Sequence, residues 1–336
     1  MKRIKLSDGG GGKAMQELLS KVIVKNLKNI KTKDGIGLDS LDDAAVIKFG
    51  DENLVFTTDS YTVEPVFFKG GDIGKLSVCG TINDLAVVGA CPLAISSALI
   101  ISEGFPIGDL ERIMKSMNDV SVNENVPIVT GDTKVVESKL GITITTTGIG
   151  FAGKIILDSG LKVGDKIIIN GTVGDHGIAI LSEREGLEFE TRLVSDCASI
   201  YPLIKELINE GMEIHVAKDP TRGGLANALN EFAEKSKVGV EIEEEKIPIA
   251  GGVRAASEML GIDPLEVANE GKVIIGVPQK DAEKALEIMK KNRLGKDASI
   301  IGKVTKENKG RVILNTIIGG KRILEKPLGD PVPRVC

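Results

Sequence analysis

The sequence predicts an α/β protein built from two domains, and three observations lead to this prediction. The chain has 336 residues, more than one hydrophobic core normally organises. Its hydrophobic fraction of 42% and charged fraction of 27% are those of a globular protein and give no support to disorder, a collagen-like repeat or a coiled coil. Helical and strand patterns alternate in both halves, and the turn-rich segment 159–165 places the domain boundary near residues 153–160.

The N-terminal half opens with a glycine run, Gly9–Gly12, followed by Lys13 and apolar residues at helical spacing. This pattern predicts a flexible loop that leads into an amphipathic helix. The elements predicted after it are strands over 45–49 and 54–58 around a turn at 50–53, a helix over 72–88, a strand over 93–101, a helix over 109–124, and strands over 127–130 and 140–151.

The C-terminal half continues as an α/β pattern and not as a repeat array. Strands are predicted over 166–170, 238–243, 272–277 and 311–315, and helices over 195–210, 224–236 and 279–292. We therefore divide the chain into a glycine-rich loop and helix (1–40), an N-terminal domain (41–155), a C-terminal domain (156–325) and a tail (326–336). The prolines and glycine of the tail disfavour a helix, so we expect an extended, flexible arm that carries Cys336 at its end.

Composition excludes several classes of function. A net charge of -5 and an aromatic fraction of 3% argue against a nucleic-acid partner, which needs basic surface and stacking side chains. The four cysteines show no CxxC spacing and do not cluster with the two histidines, so a structural zinc site is not expected. No signal peptide or long apolar run is visible, which predicts a cytoplasmic protein with reduced thiols and no membrane partner.

The polar residues that can carry chemistry are mostly aspartates among small or apolar neighbours: Asp42, Asp43, Asp59, Asp84, Asp132 and Asp219. Carboxylates in such settings need partners, and they suit Mg²⁺ shared with phosphate oxygens. Helix capping and turn formation are the alternative explanation for any one of them. The glycine run is not a Walker A motif, because Ser7 and Ala14 stand where that motif needs Gly and Ser or Thr. Phosphate contact and a mobile surface loop remain equally open for it.

Two further segments combine charge with backbone freedom. Residues 218–225, Lys-Asp-Pro-Thr-Arg-Gly-Gly-Leu, read as a helix start at which an anion would be stabilised. Residues 130–134, Thr-Gly-Asp-Thr-Lys, follow a predicted strand. There Lys134 could neutralise a phosphate, act as a base if desolvated, or be an ordinary surface lysine. His176 is a weaker candidate that serves equally well as a hydrogen-bonded loop residue.

Taken together, these segments resemble the HypE family of hydrogenase maturation factors within the AIR synthase superfamily. The resemblance rests on the strings at 42–45, 56–60, 83–86, 130–134 and 218–225, and on the C-terminal Pro-Arg-Val-Cys, where the family has Pro-Arg-Ile-Cys. It covers essentially the whole chain. Asp8 stands where the family often has histidine, which puts a role for that histidine in doubt. Val335 is a small apolar change beside the thiol.

The resemblance implies an AIR synthase-like fold, with an N-terminal ATP-binding domain whose sheet pairs in a homodimer and a C-terminal α/β sandwich. It implies ATP and Mg²⁺ as cofactors. The implied metal ligands are Asp43, Asp84 and Asp219. The residues implied near the nucleotide are Gly10, Gly11, Gly12, Lys13, Asp59, Asn83, Thr130, Gly131, Asp132 and Thr133.

The implied reaction uses Cys336 as a carrier thiol, although chance alone could also place a cysteine last. The carbamoyltransferase HypF would load a carbamoyl group on Cys336, and ATP-dependent dehydration would convert it to a thiocyanate, with Lys134 or Glu270 as the base. The HypC–HypD complex, which would hold the iron, would accept the cyano group. Alternatives are a small-molecule synthetase such as selenophosphate synthetase or AIR synthase, or a non-catalytic scaffold. The absence of Cys from the glycine loop disfavours the selenophosphate enzyme, and AIR synthase has no need of Cys336.

Overall fold

The computed structural model describes residues 3–187, 193–329, 331–332 and 334–336. Pro333, one of the prolines used to predict the tail, lies outside the described residues. The helices are α1 (Gly12–Leu18, continued by π and 3₁₀ turns to Asn26), α2 (Ile73–Val87), α3 (Ile107–Glu124), α4 (Asp175–Glu185), α5 (Tyr201–Asn209), α6 (Gly224–Ser236), α7 (Gly251–Leu260) and α8 (Ala282–Lys291). None of these described helices combines the length and apolar character needed to cross a membrane.

The strands of the N-terminal half are β1 (Ala45–Phe49), β2 (Glu52–Tyr61), β3 (Phe67–Phe68), β4 (Gly71–Asp72), β5 (Cys91–Ser102), β6 (Ile128–Val136) and β7 (Ile142–Ala152). Five of them form one sheet in the order β1-β2-β7-β5-β6. Every pair is antiparallel except β5 with β6. Side chains of β7 alternate between buried and partly exposed, because α2 packs on one face of the sheet and α3 packs on α2.

The strands of the C-terminal half are β8 (Lys166–Ile169), β9 (Val216–Lys218), β10 (Gly239–Glu243), β11 (Ile274–Val277), β12 (Ser299–Thr305), β13 (Val312–Asn315) and β14 (Lys321–Leu324). They form a second sheet in the order β14-β13-β10-β12-β8-β11-β9. Helices cover both of its faces. Ile167 and Ile169 of β8 share a core with α6, whereas Ile168 points into the core formed with α5 and α8. This arrangement explains why β8 is an unbroken apolar run.

The two sheets divide the chain between Ala152 and Lys166, and the predicted boundary at 155/156 falls in that interval. Most predicted elements are present. The helix predicted over 195–210 begins only at Tyr201. The backbone N–H of Ser195 donates to the Lys69 carbonyl oxygen, so it forms no helical hydrogen bond. Sequence reasoning did not predict α4, α7, β3, β4, β9, β12 or β14. It also ended β6 too early, because residues 130–134 continue that strand and do not follow it.

Candidate functional site

A cleft of about 500 Å³ lies where the two domains and the glycine loop meet. The N-terminal domain contributes Asp42, Asp43, Thr57, Thr58, Asp59 and Asp84, and the C-terminal domain contributes Lys218, Asp219, Thr221, Arg222, Asn227, Glu231, Glu234 and Lys235. Gly11, Gly12 and the first turns of α1 close one side. Five of the aspartates that the sequence singled out therefore face the same cavity. Four of them, Asp43, Asp59, Asp84 and Asp219, come from separate parts of the chain and lie up to 176 positions apart.

Each aspartate reaches the cleft from a different element. Asp43 precedes β1, Asp59 lies on β2, Asp84 on α2, and Asp219 directly after β9. Thr57 connects two of them, since its Oγ1 lies 2.9 Å from Asp84 Oδ2 and 3.0 Å from the Asp43 carbonyl oxygen. The N-terminal sheet and α2 thus hold three of the four carboxylates close to one another.

Burial dominates the electrostatics of these carboxylates. It raises the pKa of Asp43 well above its ordinary value, with Lys218 opposing. Burial also raises the pKa of Asp84, and the charge of Asp59 adds to the shift. For Asp219, burial raises the pKa to about 6. Carboxyl groups that hold their protons so firmly lack sufficient positive charge around them, which is the condition that a bound cation would relieve.

The side-chain oxygens of these aspartates fit a hard cation in part. They are carboxylate oxygens, and Asp43 Oδ2 is buried without a hydrogen-bond partner. Within the described residues, however, no three His, Cys, Asp or Glu side chains are close enough to hold a metal ion by themselves. Mg²⁺ commonly takes only one or two carboxylates and completes its shell with phosphate and water oxygens. The cleft therefore matches a metal that arrives with a phosphate ligand.

Two lysines that the sequence did not single out as site residues balance part of this charge. Lys218 Nζ contacts Asp43 and lies 3.1 Å from Asp158 Oδ2. Lys235 Nζ lies 2.5 Å from Asp42 Oδ1 and 3.1 Å from the same oxygen of Asp158. Burial opposes ionisation of Asp158, but the two lysines together hold its pKa below the ordinary value. The only sequence signal was the position of Lys218 beside Asp219.

A second, smaller cavity of about 190 Å³ contains the end of the chain and is called the thiol pocket here. It is lined by Leu6, Gly9, Gly10, Ser60, Thr62, Arg222, Arg334, Val335 and Cys336. Glu270 forms a side-chain hydrogen bond with Cys336, whereas its Oε1 atom is buried without a partner. Burial raises the pKa of Glu270 well above the ordinary value, and the charges of Asp219 and Asp196 add to this.

The end of the tail is docked against the folded chain. The sequence predicted an extended, flexible arm and did not indicate where it would rest. His176 is fully buried on α4, and its Nε2 lies 2.7 Å from the Val335 carbonyl oxygen. A carbonyl can only accept, so Nε2 carries the proton, and Ser195 Oγ lies 2.7 Å from the other ring nitrogen. Arg184 Nη2 and the backbone N–H of Glu64 both donate to the Arg334 carbonyl, at 2.9 and 3.1 Å.

The beginning of the tail contacts the glycine loop. The backbone N–H groups of Lys13 and Ala14 donate to the carbonyls of Pro327 and Leu328, at 3.0 and 3.1 Å. These are N–H groups of the first turn of α1, which would otherwise be open to a phosphate. Gly12 permits the approach, since a Cβ there would lie 2.1 Å from the Pro327 oxygen.

Several residues that the sequence predicted for the site do not line the cleft formed by their own chain. The Asn83 side chain is buried and turned to the backbone, accepting from Ile200 N at 2.8 Å and donating to the Ala198 carbonyl at 3.1 Å. Lys13 forms an exposed ion pair with Glu325 at 2.8 Å. Residues 130–133 line a separate, open groove beside α3, and exposed Lys134 pairs with Asp132 at 3.0 Å.

Known protein families match both domains of the chain. The family patterns of AIR synthase related protein match the chain, the N-terminal domain over residues 41–152 and the C-terminal domain over 162–315. The carbamoyl dehydratase HypE of Rhizobium leguminosarum bv. viciae is 44% identical over 99% of this chain and 95% of its own length.

Solved structures of similar proteins superpose on more than nine-tenths of the chain. A HypE in complex with ATP aligns with a TM-score of 0.82 at 39% identity, covering 99% of this chain and 100% of that one. A chain of a HypE–HypF complex aligns with a TM-score of 0.86 at 46% identity, covering 92% of this chain and 99% of that one. The two-domain fold inferred from the sequence is therefore confirmed.

Proposed function

The chain belongs to the HypE family of AIR synthase-related proteins, and on that premise we propose that it is an ATP-dependent carbamoyl dehydratase of hydrogenase maturation. It converts an S-carbamoyl group on Cys336 into a thiocyanate, with ATP yielding ADP and phosphate. The observation that carries this proposal is the docked tail, which brings Cys336 into a pocket beside Glu270 and next to the acidic cleft. ATP binding is supported by the similar HypE whose structure was solved with ATP.

The reaction divides into two steps at the Cys336 sulfur. First, the carbamoyl oxygen bonds to the γ-phosphorus of ATP while the bond from that phosphorus to the ADP oxygen breaks. Then the carbamoyl nitrogen loses its protons, the carbon–oxygen bond breaks, and phosphate leaves a C≡N group on sulfur. Phosphorylation matters because the carbamoyl oxygen is otherwise a very poor leaving group.

The contact between Glu270 and Cys336 supports Glu270 as the proposed acceptor of a proton from the carbamoyl nitrogen. The raised pKa of Glu270 means that it holds a proton firmly once it has taken one. Lys134, the other candidate base, lines neither the cleft nor the thiol pocket of its own chain. A catalytic role for Lys134 therefore depends on a second copy of the chain.

Asp43, Asp84 and Asp219 would hold Mg²⁺ only together with the nucleotide phosphates, since no three carboxylates among the described residues converge in the cleft. Asp59 would lie beside them, and the metal would offset charge on those phosphates. Gly11 and Gly12 border the same cleft, Gly10 borders the thiol pocket, and the backbone of Lys13 lies at the start of α1. The proposed nucleotide contacts of Thr130, Gly131, Asp132 and Thr133, like that of Lys134, require a partner, because β6 is an exposed edge strand. We therefore propose a homodimer that pairs through the N-terminal sheets. Asn83 would act indirectly, by fixing the backbone around Ile200.

The proposed partners follow from the chemistry of loading and unloading the thiol. A HypF-type carbamoyltransferase would donate the carbamoyl group, in line with the similar chain solved in a HypE–HypF complex. A HypC–HypD-type complex would hold iron and accept the cyano group. A cytoplasmic setting suits the reaction, because it keeps the Cys336 thiol reduced.

The test is intact-protein mass spectrometry after incubation with carbamoyl phosphate, ATP, Mg²⁺ and the carbamoyltransferase. The wild-type chain should gain a carbamoyl group and lose one water only when ATP is present, and Cys336→Ala should gain nothing. Cys91→Ala, which removes an exposed cysteine elsewhere in the fold, is the matched control and should behave as wild type. An unmodified wild-type chain in a competent assay would leave a small-molecule synthetase or a scaffold as the explanation.

A further inference from the structure

One side chain forms part of both cavities. Arg222 lines the cleft that contains Asp43, Asp84 and Asp219, and it also lines the thiol pocket that contains Cys336. Among the described residues it alone belongs to both linings. Arg222 is therefore the side chain that can contact a group in the cleft and a group at Cys336.

The fold fixes Arg222 between two tight turns. Thr221 N donates to the Asp219 carbonyl at 3.0 Å, and Gly224 N donates to the Thr221 carbonyl at 2.9 Å, so the chain turns sharply between β9 and α6. The glycine loop lies against the arginine itself: a Cβ on Gly11 would be 3.0 Å from the Arg222 Cβ and 3.1 Å from its carbonyl oxygen. The start of the Arg222 side chain is thereby held in place without using its guanidinium.

The surroundings of the guanidinium are anionic. Negative charge at Cys336 is the largest influence raising the pKa of Arg222, and Asp59 and Glu270 contribute to the same effect. The side chain therefore stays charged throughout the working pH range. Arg334, the other arginine of the thiol pocket, is engaged elsewhere, since its Nη2 lies 3.0 Å from Glu64 Oε2 and its Nε 3.3 Å from the Thr62 carbonyl.

We infer that Arg222 is a catalytic residue that binds the phosphoryl group while it moves from ATP to the S-carbamoyl oxygen on Cys336. This inference rests on the proposed function. During transfer the bond from the γ-phosphorus to ADP breaks and the bond to the carbamoyl oxygen forms, and negative charge spreads over the three remaining phosphoryl oxygens. The planar fork of an arginine matches two such oxygens at once. Arg222 then faces phosphate again when the C≡N bond forms and phosphate leaves.

The experiment compares wild type, Arg222→Met and Arg222→Lys in two separate readings. Loading of Cys336 by the carbamoyltransferase is followed by intact mass, and single-turnover conversion to thiocyanate is then started with ATP and Mg²⁺. Arg222→Met should load normally, bind ATP with little change, and convert about 10²–10³-fold more slowly, the loss seen when one transition-state donor is removed. Arg222→Lys, which keeps the charge and loses the fork, should recover part of that loss. Arg254→Met on the exposed surface of α7 is the control and should match wild type.

The outcomes separate the two claims. Conversion by Arg222→Met at the wild-type rate overturns the inference and leaves the proposed function standing. Equal losses of loading, ATP affinity and conversion in both Arg222 variants also overturn it, because that pattern indicates a structural role. A wild-type chain that loads but never loses water refutes the proposed function itself.

Discussion

Replacing His176 by leucine tests how the reactive end of the chain is held. His176 donates to the carbonyl of Val335, the residue before Cys336, at 2.7 Å, and the side chain is completely buried. A buried carbonyl that loses its donor costs about 1–3 kcal/mol. If that cost falls on the docked state alone, the undocked tail becomes about 5- to 150-fold more populated.

The rate of alkylation of Cys336 by iodoacetamide measures that population, because a thiol reacts faster once it leaves the pocket. Peptide mass spectrometry follows Cys336 and, as an internal reference, the exposed Cys91. His176→Leu should accelerate modification of Cys336 by 5-fold or more and leave Cys91 unchanged. His176→Gln keeps an N–H donor in the same region and should recover much of the wild-type rate.

Two results would refute this reasoning. Equal Cys336 rates in wild type and His176→Leu would mean that the hydrogen bond does not hold the tail. Equal acceleration of Cys336 and Cys91 would mean that the substitution loosens the whole domain. In the first case the other contacts of the tail, from Arg184 and Glu64 to the Arg334 carbonyl, would carry the docking.

Three more predictions concern stability in the absence of ligands. Burial raises the pKa of Asp219 from 3.8 to about 6, so the folded protein binds this proton more tightly than the unfolded chain does. The free energy of unfolding therefore falls by up to about 3 kcal/mol as the pH rises from below 3.8 to above 6. Urea unfolding should therefore show Asp219→Asn more stable than wild type at pH 8 and similar at pH 4; equal stability at pH 8 would contradict this. Lys218→Met should lower the unfolding free energy by roughly 3–5 kcal/mol, because Asp43 and buried Asp158 lose their shared cation, while exposed Lys48→Met should change little. Gly12→Ala combines a φ of +62° with a Cβ placed 2.1 Å from the Pro327 oxygen and should cost about 1–3 kcal/mol, whereas Gly9→Ala meets nothing within 4 Å and should be neutral.

The sequence predicted the order of elements well where one periodicity prevailed. α6 was predicted to the residue, and β1 likewise. The failures have local causes. Residues 130–134 of β6 look like a polar loop, because an edge strand exposes its side chains and loses the apolar alternation. Helix α4 begins after Gly174 and contains Gly177, with buried residues spread around it, so it lacks the one-sided apolar stripe that marks a surface helix.

The carboxylates of the cleft could be predicted from the sequence, whereas the lysines that pair with them could not. Asp43, Asp84 and Asp219 stand in short strings that share the family's pattern, and they do meet in one cleft. Lys235 pairs with Asp42 and with Asp158 across 193 and 77 positions, and nothing local to either residue indicates that pairing. Asn83 illustrates the converse, because its place beside Asp84 suggested the cleft while its amide turned to the backbone near Ala198.

The direction of each pKa shift separates the two kinds of carboxylate in and around the cleft. Lysines hold the pKa of Asp158 below its ordinary value, so ionisation of Asp158 stabilises the folded chain. Asp43, Asp84 and Asp219 have raised pKa values caused mainly by burial, so each of them destabilises the ligand-free fold at neutral pH. If Asp43, Asp84 and Asp219 served only to stabilise the fold, uncharged side chains of similar size could replace them without loss of stability. Their presence around one cavity, beside a thiol carried in by the tail, is accounted for by the cations and phosphates that the proposed reaction brings there.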